Sequence, residues 1–307
     1  MASRSQPDSA PGPLPLTQRA RTVLGVLSRV AAETARSSLR YRVTGLAAEA
    51  AFFALLSLPP LVFALAGSVG YIAQGQDVQT VATLRLEVLQ LSSRVLTPEA
   101  VSQIIGPTLD DVLSQGRISV ISIGFVIALW SGSRALNVFV DTISIMYGLG
   151  GRRGFVRTRI LSFGLYLVFL LVGVVLVPLV LAGPTLVERL LPRQLDRLAG
   201  FYWPTVLVGS TVFLATLYHW STPVRTRWLA DLPGAGLTLA LWVGGSALLR
   251  VALGASTQTT SIYGPLAAPI AVLIWLYLIS ISVLIGAAAN AALAQEWPGL
   301  AARERTT

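Results

Sequence analysis

The sequence predicts an all-α, polytopic membrane protein with six transmembrane helices and both termini in the cytoplasm. Hydrophobic residues make up 54% of the 307 residues, and charged residues only 12%. A water-soluble domain carries about 25% charged residues, because polar side chains must cover its surface. Cysteine is absent, and histidine occurs once, at His219. These counts argue against a soluble enzyme, a disulfide framework and any metal site that needs two imidazoles.

Six apolar segments are long enough to cross a bilayer as helices. About 20 residues are needed, since a helix rises about 1.5 Å per residue and the hydrocarbon is about 30 Å thick. The predicted spans are approximately residues 45–72, 118–140, 160–182, 200–220, 233–254 and 266–293, within a transmembrane domain of residues 44–295. Residues 1–15 are expected to form a disordered cytoplasmic tail, and residues 296–307 a second cytoplasmic tail.

The arginines predict the orientation of these spans, since lysine is absent from the chain. Fifteen arginines flank the spans on one side and six on the other. The richer side carries Arg4, Arg19, Arg21, Arg29, Arg36, Arg40, Arg42, Arg152, Arg153, Arg157, Arg159, Arg225, Arg227, Arg303 and Arg305. Basic residues accumulate on the cytoplasmic side of membrane proteins, so both termini are expected there.

Two further segments have amphipathic patterns outside the spans. Residues 16–43 are predicted to form a basic helix whose polar face carries Arg19, Arg29, Arg36 and Arg40. This pattern fits a helix on anionic phospholipid headgroups of the inner leaflet, and equally a helix packed on the protein itself. Residues 74–116 are predicted to form two amphipathic helices on the outer face, where Thr97-Pro98-Glu99 is a helix start.

The sequence contains no recognisable catalytic motif. A phosphate-binding loop of the Walker type needs a lysine, and zinc-protease and serine-hydrolase motifs are absent. The adjacent acids Asp110 and Asp111 fall in a predicted outer helix, where solvation accounts for them. The chain is therefore expected not to be an enzyme and to need no metal or cofactor.

Ionisable groups inside the predicted spans are the strongest candidates for a functional site, because such groups usually face the bundle interior. Glu49 and Arg134 are predicted to lie at similar depth near the cytoplasmic side, with Asn137 one turn from Arg134. They predict a polar site, for instance for a lipid headgroup, or a structural ion pair, or an Arg134 side chain that reaches alone towards the interface. His219, beside Trp220, is interpreted as an ordinary interfacial histidine.

Several motifs resemble the YihY/BrkB family of bacterial inner-membrane proteins. The first span contains Ala50-Ala51-Phe52-Phe53-Ala54-Leu55-Leu56-Ser57-Leu58-Pro59-Pro60-Leu61, and later motifs are Ala135-Leu136-Asn137, Arg152-Arg153-Gly154-Phe155, Asp231-Leu232-Pro233-Gly234-Ala235, Ser261-Ile262-Tyr263-Gly264-Pro265-Leu266-Ala267 and Leu284-Ile285-Gly286-Ala287. The resemblance covers roughly residues 40–295. Relatives often have an acid after the last Gly-Ala, where this chain has Ala288 and Ala289. Asn290 and Tyr263 are therefore secondary candidates for a polar site.

The resemblance implies a six-span protein of the bacterial cytoplasmic membrane. Some members were labelled ribonuclease BN, a name that no residue pattern here supports. The favoured function is a transporter or translocator of a lipid or other amphiphile in the cell envelope, and the alternative is a non-transporting structural or accessory subunit. A wide lateral groove lined by Glu49, Arg134 and Asn137 would favour transport, and a tightly packed bundle the alternative. The expected partners are bilayer lipids, a lipid substrate or a second copy of the chain, and not nucleic acid.

Overall fold

A computed structural model describes residues 16–73, 118–190, 202–223, 227–256 and 264–297, with ten further positions between 82 and 110. These residues form helices, and no strand occurs among them. The helices are α1 (Leu16–Arg40), α2 (Val43–Ala73), α3 (Ile118–Met146), α4 (Phe155–Leu190), α5 (Tyr202–Ser221), α6 (Leu232–Ser256) and α7 (Gly264–Glu296). A 3-10 turn, Trp228–Asp231, precedes α6.

Five stretches of the described chain are long and apolar enough to cross a membrane. They are Val43–Leu61, Ile123–Met146, Phe155–Val172, Trp228–Ala252 and Pro269–Glu296. Helix α5 coincides with the predicted fourth span, but it is not among these five. Its 20 residues include three threonines, two serines, two tyrosines and a histidine, which lower its hydropathy. The all-helical, multi-span architecture is confirmed, and the count of six spans stays a prediction.

The arginines that follow α3 in the sequence lie at one end of the bundle. Helices α2, α4 and α6 begin at this end, and α3, α5 and α7 finish there. Arg152, Arg153, Arg157 and Arg159 belong to the α3–α4 connection and the first turns of α4. We call this end the basic end. Its predicted cytoplasmic placement follows from the arginine count and stays a prediction.

The core lies in the half of the bundle nearest the basic end. Helix α7 is central to it and packs against α1, α2, α3 and α6. Ala47 and Ala50 of α2 and Ala287, Ala288 and Ala291 of α7 are buried, and such small side chains let helix backbones approach closely. Ala288 and Ala289, which stand where the family resemblance implies an acid, are both buried in this core.

Helix α1 packs on the protein through part of its apolar face. Val26, Val30 and Thr34 are buried, and the two valines share a cluster with Ala292 at the end of α7. Arg29 donates to Glu296, with Nε and Oε1 3.2 Å apart. Leu27, next to Val26 on the same helix, is 53% exposed. Of the predicted leaflet contacts, Arg36 and Arg40 are exposed, and the Arg19 side chain lies outside the described part.

Most of the segment predicted to form two outer amphipathic helices lies outside the described residues. Within it, Arg85 donates to Asp110, with Nη2 and Oδ2 2.8 Å apart. This pair lines a cavity of about 510 Å³. The Arg85 guanidinium lowers the pKa of the Asp110 carboxyl, which accounts for one of the two adjacent acids as an ion-pair partner. Asp111 and Tyr263 are outside the described residues.

Candidate functional site

A groove of about 180 Å³ opens at the side of the bundle, towards its basic end. It is lined by Phe53 of α2, Trp130 and Arg134 of α3, and Phe155 and Arg159 of α4. The guanidinium carbon of Arg159 lies 4.4 Å from the centre of the Trp130 ring, and that of Arg134 lies 5.6 Å from the Phe53 ring. Both distances are within the range of cation–π attraction. The groove therefore combines two held cations with aromatic walls.

Glu49 and Arg134 meet as the sequence predicts. Glu49 Oε1 and Arg134 Nη2 are 3.5 Å apart, and the two side chains are 39% and 40% exposed. The pair joins α2 to α3, the two helices that pack together most extensively. Because neither side chain is buried, removing one partner does not leave a charge in a dry core.

Asn137 turns away from this pair. Its Oδ1 accepts a hydrogen bond from Ser162 Oγ of α4, at 3.4 Å. Of the three residues predicted to line one lateral groove, Arg134 alone is among its lining residues. Phe155 and Arg159 come from α4 and were not predicted as site residues. The sequence feature that could have indicated these two residues is the basic Arg152-Arg153-Gly154-Phe155 motif, with Arg159 about one helical turn after Phe155.

A second polar site, which we call the buried polar cluster, lies between α3, α5, α6 and α7. It contains Tyr147, Tyr218, His219, Asp231, Thr238 and Asn290. Asp231 is 1% exposed, and its Oδ2 lies 3.4 Å from His219 Nδ1. Tyr147 donates to Asp231 Oδ1 at 3.5 Å. Burial, with the nearby Asp231 carboxylate, raises the pKa of the Tyr147 hydroxyl, so this group stays protonated and can donate.

Asn290 caps the start of α6, although Asp231 is the residue that directly precedes this helix. An aspartate just before a helix normally accepts hydrogen bonds from the first free N–H groups of that helix. Here Asn290 Oδ1 accepts from Gly234 N at 2.7 Å, and Asn290 Nδ2 donates to the Asp231 carbonyl at 3.0 Å. The Asp231 carboxylate is thereby left to face His219 and Tyr147. Asn290 joins α7 to the start of α6 and does not line the groove.

His219 has a partner that its interpretation as an interfacial histidine did not include. That partner is Asp231, which lies 12 residues further along the chain. The available signal was an acid at the very start of an apolar span, close in sequence to the single histidine. Tyr218, fully buried, extends the cluster by donating to the Val283 carbonyl at 2.9 Å.

Arg153 has a structural role at the basic end. It donates to the carbonyls of Trp220, Ser221 and Thr222 at 3.1, 2.8 and 2.9 Å. These carbonyls end α5 and have no partner within the helix, so a cation there satisfies them and complements the helix dipole. This part of the basic motif therefore joins the α3–α4 connection to α5.

A double-mutant cycle is expected to show weak coupling between Glu49 and Arg134. Glu49→Gln and Arg134→Gln should each lower thermal stability slightly, and the double variant should lose less than their sum. A coupling of about 1 kcal/mol is expected, because both side chains are partly exposed. The exposed Glu33–Arg36 pair on α1, 3.9 Å apart, is the matched control and should show no measurable coupling. Additive losses at Glu49 and Arg134 would contradict the ion pair.

The fold defines a multi-pass helical membrane protein. A family model described as virulence factor BrkB matches residues 34–306, and the chain belongs to this family. A Bacillus subtilis (strain 168) protein named as ribonuclease-like, YfkH, is 24% identical over 261 residues, covering 80% of this chain and 88% of the relative. No solved structure matches the chain. Among the described residues, no three His, Cys, Asp or Glu side chains group closely enough to hold a metal ion.

Proposed function

We propose that this protein binds a lipid or other amphiphile at the lateral groove and translocates it across the bacterial cytoplasmic membrane. The observation that carries the proposal is the groove itself, where guanidinium groups and aromatic rings share one opening on the side of an apolar bundle. Charged groups at membrane depth are rare, and a polar head with an apolar tail matches such a surface. The proposal uses no catalytic step, and YfkH's ribonuclease-like name is not carried over.

A structural or accessory subunit is the second candidate. The tight core beside the basic end favours it, since Thr238 and Asn290 are buried and donate to the Ser282 and Asp231 carbonyls of neighbouring segments. In this alternative the ion pair and the buried polar cluster only hold the helices together. The groove would then be an opening between side chains without a ligand.

A translocation assay separates these two functions. Protein reconstituted in vesicles with head-labelled fluorescent phospholipids should speed the exchange of label between leaflets, measured by a membrane-impermeant quencher. Arg134→Gln should slow this exchange at least severalfold, because the groove loses a cation that can hold the head of the lipid. Arg250→Gln is the control, since Arg250 is exposed on α6 and does not line the groove.

Two outcomes would contradict translocation through this groove. If vesicles with the unmodified protein exchange each labelled lipid no faster than empty vesicles, the structural subunit is the better description. If Arg134→Gln and Arg250→Gln exchange lipid at the unmodified rate, translocation does not use this groove.

A further inference from the structure

We propose that Arg134 and Arg159 bind the phosphate of an anionic phospholipid that enters the groove from the surrounding bilayer. This inference rests on the proposed function and specifies its ligand. The acyl chains of the lipid would lie against the exposed aromatic and apolar side chains of α3 and α4 beside the groove. The chemistry recognised is a phosphodiester that carries one negative charge.

The charges around the groove select an anion of this kind. Arg134 and Arg159 supply two positive charges, and Glu49 neutralises one by pairing with Arg134. No acidic side chain of the described residues pairs with Arg159. One unneutralised positive charge therefore remains, and a phosphodiester monoanion balances it. Arginine suits this ligand because its planar guanidinium can donate two hydrogen bonds to one phosphate.

The Arg159 side chain is held in place before any ligand binds. Its guanidinium lies over the Trp130 ring, and its Nη2 points to the Trp130 carbonyl at 3.5 Å. A stacked guanidinium loses less side-chain entropy on binding, and its edge keeps donors free for a ligand. Trp130 is 68% exposed, which is typical of a tryptophan at the membrane–water interface.

The position of the groove favours a lipid over a free anion. Arg159 lies four residues into α4 and Glu49 six residues into α2, which places them about 6 and 9 Å along these helices from the basic end. Both helices are longer than the ~30 Å hydrocarbon, so if each extends equally beyond both sides of it, these positions fall near its edge, where the headgroups begin. Phe155, Val156 and Ile160 are exposed apolar residues of α4 around Arg159, so the neighbouring surface suits acyl chains.

The test is direct binding to the purified full chain, measured by native mass spectrometry from lipid nanodiscs. The probes are phosphatidylglycerol, phosphatidylethanolamine, diacylglycerol and inorganic phosphate. Phosphatidylglycerol should bind most tightly, and Arg159→Gln should weaken its binding by about tenfold or more, because a charge-assisted contact is lost. Arg157→Gln is the matched control on the same helix, since Arg157 is exposed and does not line the groove.

Glu49→Gln provides a variant whose expected effect cannot result from misfolding. It removes the acid that competes for Arg134 and should tighten phosphatidylglycerol binding severalfold. The proposal is overturned if Arg157→Gln weakens binding as much as Arg159→Gln, or if phosphatidylethanolamine or diacylglycerol binds as tightly. It is also overturned if inorganic phosphate binds as tightly as the lipid, since the ligand would then be a free anion.

The outcomes for ligand and function are distinguishable. Arg159-dependent lipid binding without leaflet exchange would reject translocation and keep the binding site. Unchanged leaflet exchange in Arg159→Gln would reject the site and keep translocation.

Discussion

Gly286→Ala is expected to destabilise the protein strongly, because Gly286 lies where α6 and α7 approach most closely. A methyl group there would overlap Thr238 Oγ1 and would lie 2.6 Å from the Gly234 carbonyl oxygen and 2.7 Å from the Tyr218 hydroxyl. The carbonyl belongs to the backbone of α6 and cannot turn aside, so the two helices must separate. Overpacking of a core usually costs about 1–3 kcal/mol, and this site should reach about 3 kcal/mol.

Gly236→Ala is the matched control for this prediction. Gly236 lies two residues after Gly234 on α6, and an added methyl group would meet nothing within 4 Å. Alanine is the better helix former, so this variant should be neutral or slightly stabilising. The free energy of unfolding in mixed micelles is the measurement. Equal stability of the two variants would show that α6 and α7 are not packed through Gly286.

Asn290→Ala is expected to cost about 2–5 kcal/mol of stability. The change removes two buried hydrogen bonds and leaves the Gly234 N–H and the Asp231 carbonyl without their partner. Each unsatisfied buried group costs about 1–3 kcal/mol. Asn290→Asp should also destabilise, since aspartate can accept from Gly234 N but cannot donate to the Asp231 carbonyl when ionised.

Asn137→Ala is the comparison for the change at Asn290. Asn137 is half-buried and, within the part of the chain that the structure describes, accepts one hydrogen bond, from Ser162 at 3.4 Å. Its loss should cost about 1 kcal/mol, the usual net value of a single hydrogen bond. Unfolding of both variants in the same micelles is the measurement. If Asn290→Ala is no less stable than Asn137→Ala, the joint between α6 and α7 does not depend on Asn290.

The structure shows which glycines of the small-residue runs lie at a close contact between helices. Gly286 begins the run Gly286-Ala287-Ala288-Ala289 of α7 and lies close to Gly234 and Thr238 of α6. Gly244 begins a second run of small residues, Gly244-Gly245-Ser246-Ala247 of α6, and would meet nothing within 4 Å if a methyl group were added. Both runs satisfy the same small-residue pattern, but only the tertiary structure shows that Gly286 lies against the backbone of α6, whereas Gly245 is at ordinary distance from the Leu278 side chain. Composition cannot distinguish a helix-facing glycine from a lipid-facing one.

The distance of a residue from the end of its own helix can be calculated from the sequence, and the similar depth of Glu49 and Arg134 is an example. Each residue's depth follows from its distance to the end of its own span, because the helical rise is constant. The helical architecture follows for a similar reason, since an apolar stretch of 20 residues in lipid must satisfy its own backbone. The resemblance to a known family rests on separate motifs spread along the chain, and the family match confirms this resemblance.

The sequence by itself therefore determined the helical class and predicted that Glu49 and Arg134 lie at similar depth. The tertiary structure alone decided that Arg159 stacks on Trp130 beside Arg134, that Asp231 meets His219, and that Asn290 caps α6 across 56 residues. The physical reason is the range of the interactions involved. Hydropathy and helical rise act within one segment, whereas a cap, an ion pair or a groove depends on how far each helix rotates and slides against its neighbours.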